Sequence, residues 1–243
     1  MANWNPWHGC KKYSEGCQNC YVYTMDARHE RDASEIKKNA DFNLPIRKNR
    51  QKEYKIPSSE TIYTCFTSDF LLPEADEWRE EAWAMIRNRS DCGFVFITKR
   101  IDRLAEVLPA DWEDGYNNVA IGCTVENQAR ADYRLPIFLD LPIKKRFICV
   151  SPILEEVDLS AYLCDKIDKV AVGGESGINA RICKYDWVLK IREQCESSGV
   201  KFWFQQTGYR FVKDGKLYII ERKLQHSQAR KANINILHGE KPF

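Results

Sequence analysis

The stretch Gly93–Thr98 reads G-F-V-F-I-T, and the charged residues Lys99 and Arg100 follow it at once. A short run of aromatic and β-branched residues bounded by polar ones is typical of a strand that is buried on both faces. Similar runs recur along the chain, with amphipathic stretches between them. They predict strands at Thr61–Thr67, Gly93–Thr98, Val119–Thr124, Arg146–Val150, Lys169–Val172 and Lys201–Gln205.

The stretches between these runs place apolar residues at helical spacing, as Trp78, Ala82 and Met85 do. The predicted helices are Glu74–Arg89, Arg100–Val107, Gln128–Phe138, Leu159–Lys166 and Asp186–Ser198. Strands that alternate with helices predict β/α units and a parallel sheet. With Ala2–Pro6 as a first strand, we predict an α/β fold: a single parallel (β/α)6-8 barrel of the TIM type, partial or closed, over residues 1–208.

We predict that residues 209–243 form a C-terminal extension to this barrel, because their pattern differs from the β/α alternation before them. Phe211–Ile220 has the pattern of a β-hairpin with Asp214 and Gly215 at its turn. Gln225–Ala232 is a polar stretch that favours a helix.

Two further segments lie between the first strand and the second. Tyr21 to Lys38 predicts a helix. Residues 41–58 form an irregular basic segment, which is either a solvated loop or a loop that contacts phosphates.

The first twenty residues contain Cys10, Cys17 and Cys20 in the spacing C-x6-C-x2-C. A four-iron, four-sulfur (4Fe-4S) cluster is normally held by four cysteines, so three without a fourth nearby favour a cluster with one open iron. Gly9 and Gly16 each precede a cysteine and let the loop bend.

Other interpretations of these cysteines stay open. They could be reduced surface thiols, or they could form a structural zinc site in which His8 completes a Cys3His set. A disulfide is disfavoured, because ten cysteines without an export signal indicate a reducing cytosol. We therefore expect a cytoplasmic protein.

The composition excludes several classes of protein. The chain has 243 residues, of which 44% are hydrophobic and 30% charged, so it can bury a core and stay soluble. No apolar run is long enough to cross a bilayer, and we expect no membrane partner. A net charge of +2 does not by itself indicate a nucleic-acid partner.

Polar residues follow the predicted strands at the points where they end. In a parallel β/α barrel these ends form one rim, where active sites lie. A single polar strand end could be a helix cap, but several together favour a lined pocket, onto which the cysteine loop would also open. The segments are Thr67–Asp69, Thr98–Arg100, Thr124–Asn127, Ser151–Pro152, Gly173–Ser176 and Gln205–Gly208.

The cysteine stretch, W-N-P-x-x-G-C followed by S-x-G-C-x-x-C-Y, resembles the phage-associated three-Cys-motif family of unknown function, which is placed beside the radical S-adenosylmethionine (SAM) enzymes. The similarity runs from residue 2 to about residue 230. Four later segments also carry it: Thr67–Phe70, Ile97–Arg100, Thr124–Gln128 and Val172–Gly177 with Arg181.

The resemblance implies a radical SAM-like enzyme. Cys10, Cys17 and Cys20 would hold the 4Fe-4S cluster, whose open iron would bind SAM. Reductive cleavage of SAM would then lead to hydrogen abstraction from a substrate over the barrel mouth.

Candidate SAM-binding residues lie at the strand ends. Ser68 and Asp69 are candidates for the methionyl amino group, and Thr124 and Glu126 for the ribose. Tyr21 could stack on the adenine, although shielding of the cluster by Trp4, Trp7 and Tyr21 is the simpler interpretation. Gly173 and Gly174 would let the backbone approach the ligand closely.

Candidate catalytic residues are Lys99, Arg100, Glu175 and Gln205. Lys99 and Arg100 suit a carboxylate or phosphate, or else an ion pair with Asp69 or Glu126. Glu175 could receive an ammonium or a ribose hydroxyl, or else pair with Arg181.

Three features depart from the resembled families. Ser151-Pro152 stands where the family commonly has Glu-Pro, and Gln205-Gln206 where it has Lys-Gln. The spacing C-x6-C-x2-C also differs from the C-x3-C-x2-C of radical SAM enzymes.

The expected partners are a small-molecule, nucleotide or nucleic-acid substrate, an external electron donor and a separately encoded partner protein. The alternative function is a zinc- or cluster-stabilised module that binds nucleic acid without SAM turnover. The basic segment and the C-terminal extension would then form its binding surface.

Overall fold

The computed structural model describes residues 2–237 and confirms the α/β fold. Seven strands form one parallel sheet of the partial TIM-barrel type, in the order β1-β4-β5-β6-β7-β8-β10. These strands are β1 (Ala2–Trp4), β4 (Thr61–Thr64), β5 (Gly93–Thr98), β6 (Val119–Thr124), β7 (Lys145–Val150), β8 (Lys169–Gly173) and β10 (Lys201–Gln206).

Five shorter strands form two small sheets. One contains β2 (Trp7–His8) and β3 (Lys37–Lys38), and the other has the order β12-β11-β9. The strands of the second sheet are β9 (Ile182–Lys184), β11 (Arg210–Lys213) and β12 (Lys216–Ile219).

The described residues also form five α-helices, apart from short 3₁₀ helices: α1 (Tyr21–Ala27), α2 (Asp76–Asn88), α3 (Gln128–Asp140), α4 (Tyr185–Ser197) and α5 (Arg222–Lys231). None of the helices within residues 2–237 has both the length and the apolar composition needed to span a bilayer.

The chain divides into two compact units, of which the first comprises residues 2–13, 22–122 and 141–145. In this unit β1 pairs with β4, and β4 pairs with β5. Its core is strongly aromatic: the ring of Phe70 lies 4.7 Å from that of Phe96 and 4.9 Å from that of Trp83.

The second unit comprises residues 14–21, 123–140 and 146–237. Here β8 pairs in parallel with both β7 and β10. The predicted hairpin forms from β11 and β12, and its turn residues Asp214 and Gly215 both have positive φ, at 51° and 70°. The prediction of a barrel over 1–208 with an extension over 209–243 stays a prediction, and residues 238–243 lie outside the described part.

Three predicted helices differ from the structure. The first ends at Ala27 rather than near Lys38, because the Asp26 carbonyl accepts the N–H groups of His29 and Arg31, at 2.9 and 3.0 Å. Glu30 then has a left-handed φ of 54°, which ends a helix.

The other two differences concern short segments. The stretch predicted as Arg100–Val107 is a 3₁₀ helix over Ile101–Glu106. The stretch Leu159–Lys166 forms turns instead of a helix, because the Asp158 carboxylate accepts the Ser160 N–H at 2.9 Å and fixes a local turn.

Candidate functional site

The cysteines of the described chain fall into two classes. None of the ten forms a disulfide, and Cys10, Cys17 and Cys20 are half-buried. Of the other seven, only Cys164 is half-buried, and six are buried. Burial raises the pKa of Cys183 and of Cys195 to about 12, so these core thiols stay protonated.

In the first unit, backbone contacts fix the segment that leads to Cys10. The Gly9 N–H donates to the Thr67 carbonyl at 3.2 Å, and the Cys10 N–H donates to the Ala33 carbonyl at 2.8 Å. The Ser68 hydroxyl donates to the Gly9 carbonyl. Ser68, a predicted SAM-binding residue, therefore holds the cysteine segment against the end of β4.

Gly9 cannot be replaced without strain. Its φ is +89°, and a Cβ atom at this position would lie 2.3 Å from the Glu35 carbonyl oxygen. The glycine is therefore required both by the backbone conformation and by the close approach of the chain around Glu35.

Asp69 organises the polar end of β5. Its carboxylate accepts hydrogen bonds from the Thr98 hydroxyl at 2.7 Å, the Lys99 N–H at 3.1 Å and the Arg100 guanidinium at 3.2 Å. Arg100 was expected either to bind an anionic ligand or to pair with Asp69 or Glu126, and in the structure it forms the ion pair with Asp69.

The Arg100 guanidinium also contacts the cysteine segment. Its Nη1 lies 3.9 Å from Cys10 Sγ, and its Nη2 donates to the Lys11 carbonyl at 2.6 Å. Burial disfavours the charge of Arg100, but Asp69 and Cys10 outweigh it and raise the Arg100 pKa. A guanidinium beside a sulfur favours the thiolate, which is the form that binds metals.

His8, the fourth ligand of the zinc alternative, is engaged elsewhere in the first unit. Its Nε2 lies 2.6 Å from Oδ2 of the buried Asp26, and Arg31 contacts the other oxygen at 2.8 Å. Burial opposes ionisation of Asp26, but His8 and Arg31 together lower its pKa. This arrangement fixes the His8 ring to α1.

The aromatic residues around the cysteines differ in exposure. Trp4 and Trp7 are fully buried, and the indole of Trp7 stacks on Phe70 with centroids 5.4 Å apart. Tyr21, in the second unit, is 39% exposed, and the Arg222 guanidinium lies 5.9 Å from its ring centroid. The tryptophans are therefore packing residues, whereas Tyr21 keeps an accessible ring.

In the second unit, Glu126 fixes the segment that leads to Cys17. One carboxylate oxygen accepts the Ser14 hydroxyl and the Gly16 N–H, the latter at 3.2 Å. The other accepts Nη1 of Arg134 at 2.8 Å. Glu126 is thus buried, paired with Arg134 and bonded to the cysteine segment at two points.

Glu15, between these two anchor points, makes a second contact to α3. Its carboxylate accepts both Nε and Nη2 of Arg130 at 2.9 Å. The Arg130 hydrogen bond is the main cause that lowers the Glu15 pKa to about 2.

Glu175 fixes the segment between Cys17 and Cys20. It accepts Asn19 Nδ2 at 3.0 Å and forms an ion pair with Arg181 at 2.6 Å. Arg181 also donates to the Glu15 carbonyl at 2.9 Å. Burial opposes ionisation of Glu175, but Arg181 and Asn19 outweigh it and lower its pKa.

Gly173 and Gly174 lie where β8 meets the end of β10. A Cβ atom on Gly174 would lie 2.4 Å from the Thr207 carbonyl oxygen, and the Gln206 side chain donates to the Gly174 carbonyl at 2.6 Å. The neighbouring Gln205 has its carbonyl 2.9 Å from His226 Nδ1. Packing of these two strand ends therefore accounts for the glycine at 174.

The donor chemistry fits a metal cluster, because three half-buried cysteines that form no disulfide lie close together in the sequence. In residues 2–237 no three His, Cys, Asp or Glu side chains are already placed to hold a metal ion together. Among the candidate SAM-binding residues, Thr124 could form a further hydrogen bond, because its buried hydroxyl has no hydrogen-bond partner within the described residues.

Sequence reasoning missed three residues that hold the cysteine loop: Ser14, Asn19 and Arg134. Ser14 and Asn19 lie between the cysteines in the sequence, and this position could have identified them as residues that fix the segment. Arg134 is a fully buried arginine on a helix, and sequence gives no indication that it meets Glu126.

Comparison with known proteins identifies the family of the chain. It belongs to the family described as protein of unknown function DUF5131, whose model matches residues 1–241. No curated protein matches it.

Two solved structures of spore photoproduct lyase are similar in fold. One is a cysteine-to-alanine mutant with dinucleoside spore photoproduct, and the other a tyrosine-to-phenylalanine mutant. Each is 13% identical, and the match covers 93% of this chain and 69% of the other, with TM-scores of 0.46 and 0.44.

Proposed function

We propose that this protein is a radical SAM-like enzyme in which Cys10, Cys17 and Cys20 hold a 4Fe-4S cluster. The observation that supports it most is that these three half-buried cysteines form no disulfide and lie close together in the sequence. Charged residues at the strand ends fix the backbone of the cysteine loop. Three thiolates leave one iron for the amino and carboxylate groups of SAM. When bound, the cluster and SAM supply reductive sulfonium cleavage and hydrogen abstraction from the substrate.

Residues near Cys10 would prepare this cysteine for metal binding and contact part of SAM. Arg100 would favour the thiolate of Cys10, because its guanidinium lies 3.9 Å from the sulfur. Ser68 and Asp69 would orient the methionyl amino group of SAM, since both lie at the end of β4 and contact the cysteine segment or Arg100.

The residues of the second unit would bind the rest of SAM. The hydroxyl of Thr124 would bond to a ribose hydroxyl, which would satisfy a buried group that lacks a partner within residues 2–237. Glu126 would orient the same part of SAM while it anchors Ser14 and Gly16. Tyr21 would stack on the adenine. Gly173 was predicted, like Gly174, to admit the ligand close to the backbone, but at Gly174 the packing against Thr207 already accounts for the glycine.

The substrate would be held by Lys99, Arg100, Glu175 and Gln205. We propose a small molecule, nucleotide or nucleic acid as the substrate, an external donor that reduces the cluster, and a separately encoded partner protein. These assignments rest on the positions of the residues at the strand ends.

The test is the iron and acid-labile sulfide content of protein purified without oxygen, together with its visible spectrum. About four irons per chain are expected, and the Cys17→Ala variant should lose them. Cys164→Ala is the matched control, because Cys164 is equally half-buried but lies outside the loop. Addition of SAM and dithionite should then yield 5′-deoxyadenosine.

A colourless protein with about one zinc, even after anaerobic reconstitution with iron and sulfide, would refute the proposal. If the protein contains iron but forms no 5′-deoxyadenosine, the proposed cluster would stand and the proposed SAM chemistry would be refuted.

A further inference from the structure

A cleft of about 230 Å³ opens in the second unit, where β10 and α4 meet the hairpin β11–β12 and α5. It does not contain the cysteine loop or any candidate residue of the proposed enzyme. Four aromatic rings and two lysines dominate its lining: Tyr185, Phe204, Phe211, Tyr218, Lys213 and Lys231.

The exposure of the rings increases from the core towards the solvent. Phe204 and Phe211 are buried and stack, with centroids 6.1 Å apart and planes at 30°. Tyr185 meets Phe211 edge-on at 5.8 Å. Tyr218 is 40% exposed, so part of its ring is open to a ligand. Exposed tyrosine rings beside buried ones suit the stacking of another planar ring.

The charge around these rings is strongly positive. Lys213 Nζ lies 5.1 Å from the centroid of Tyr185, and both Lys213 and Lys231 are exposed. Residues 209–237 contain seven lysines and arginines but two acidic residues, whereas the whole chain has a net charge of only +2. An anionic ligand therefore complements this part of the surface.

The size of the cleft limits the ligand. Sites for drug-sized molecules are usually about 300–1,000 Å³, so this cleft suits one ring system rather than a complete dinucleotide cofactor. Its two lysines are exposed, so they could contact negatively charged groups of a ligand that continues outside the cleft. One planar ring inside and repeated negative charge outside is the chemistry of single-stranded nucleic acid.

We propose that the cleft takes one base of a single-stranded nucleic acid, which stacks on Tyr218 while Lys213 and Lys231 contact the flanking phosphates. This site goes beyond the proposed enzyme function and does not depend on a cluster.

The test is fluorescence anisotropy of the full chain with a labelled single-stranded oligonucleotide of mixed sequence, measured at salt concentrations between about 50 and 200 mM. Tyr218→Ala should weaken binding about 5-fold to 150-fold, which is the usual effect of removing one base–aromatic stack. Tyr218→Phe keeps the ring and should bind like the parent protein. Tyr133→Ala is the matched control, because it removes another exposed tyrosine from the same unit.

The charge contacts are tested separately. Lys213→Ala combined with Lys231→Ala should lower the slope of log affinity against log salt by about 0.7 for each phosphate that the lysines neutralise in the parent protein. Thermal unfolding of each variant checks that it is folded.

Three outcomes would overturn the proposal. One is the absence of binding. Another is binding that Tyr218→Ala and the double lysine variant leave unchanged, which would place the nucleic acid elsewhere. The third is competition by AMP alone at the same affinity as the oligonucleotide, which would make the ligand a mononucleotide.

Discussion

Glu126 and Arg134 form an ion pair in which neither side chain is exposed, with Oε2 and Nη1 at 2.8 Å. The other oxygen of the same carboxylate holds Ser14 and Gly16. One buried charge therefore connects helix α3 to the segment before Cys17, and changes to it should affect both stability and metal content.

Replacement of Glu126 by alanine should destabilise the protein by about 3–5 kcal/mol, because Arg134 would be left as an uncompensated buried charge. Ser14→Ala removes only one hydrogen bond to the carboxylate and should cost about 1.5–3 kcal/mol. Urea unfolding measures both values. Glu156→Ala, which breaks the exposed pair with Lys190, should change stability by less than about 1 kcal/mol. Equal destabilisation in Glu126→Ala and Glu156→Ala would contradict the assigned role of the buried pair.

Alkylation should separate the cysteines into the two classes described above. In metal-free native protein, iodoacetamide should modify Cys10, Cys17, Cys20 and Cys164, since these thiols are accessible. Cys183 and Cys195 should react only after unfolding, because burial both covers them and raises their pKa to about 12. Peptide mass spectrometry gives the sites. Reconstitution with iron and sulfide should protect the three loop cysteines but leave Cys164 reactive.

Gly9→Ala should cost more stability than Gly177→Ala. Both glycines have positive φ, at 89° and 100°, but an added Cβ meets the Glu35 carbonyl only at Gly9 and nothing within 4 Å at Gly177. Gly177→Ala should therefore show only the backbone penalty, about 1–2 kcal/mol, and Gly9→Ala a larger destabilisation. Chemical denaturation compares them. A Gly9→Ala variant as stable as Gly177→Ala would mean that the chain around Glu35 moves away at little cost.

The effect of Arg181→Ala should depend on pH. The lowered pKa of Glu175 means that its ionised form stabilises the fold above the ordinary value of 4.5, and that this contribution disappears as the pH falls through the lowered pKa. The variant removes the main partner of the ionised form. Its destabilisation relative to the parent should therefore be largest near neutral pH and shrink as the pH falls below 4.5 and Glu175 becomes protonated.

Thermal or urea unfolding across this pH range measures the difference. Lys190→Ala breaks the exposed pair with Glu156 and should show a small difference at every pH. A destabilisation by Arg181→Ala that stays constant from neutral to acidic pH would argue against the coupling.

Residue type alone predicted the sheet well, because a buried strand is encoded locally. The predicted bounds Gly93–Thr98 and Val119–Thr124 agree with β5 and β6 at both ends. The prediction of a helix over Leu159–Lys166 was wrong, because side chains outside this stretch bind its backbone. The Gln194 side chain accepts the Leu159 N–H at 2.7 Å, and the Asp158 carboxylate closes a turn.

The sequence indicated which polar residues follow the strands, but not which residues they contact. Asp69, Glu126 and Glu175 were selected because they follow strands, and each does contact a charged partner or the cysteine segments. That Arg134 neutralises Glu126 depends on how α3 packs after β6, which no local pattern records. The roles in SAM binding stay predictions, since they concern a ligand rather than the fold.

The pairing of β1 with β4 has a consequence for the order of folding. Ala2 pairs with Ile62 and Trp4 with Thr64, so the strand that precedes the cysteine loop finds its partner only after about sixty further residues. Closing so long a segment is entropically costly, and β1 cannot dock before that part of the chain has been synthesised. The segment that contains the three cysteines is therefore synthesised well before the strand in front of it has a partner in the sheet.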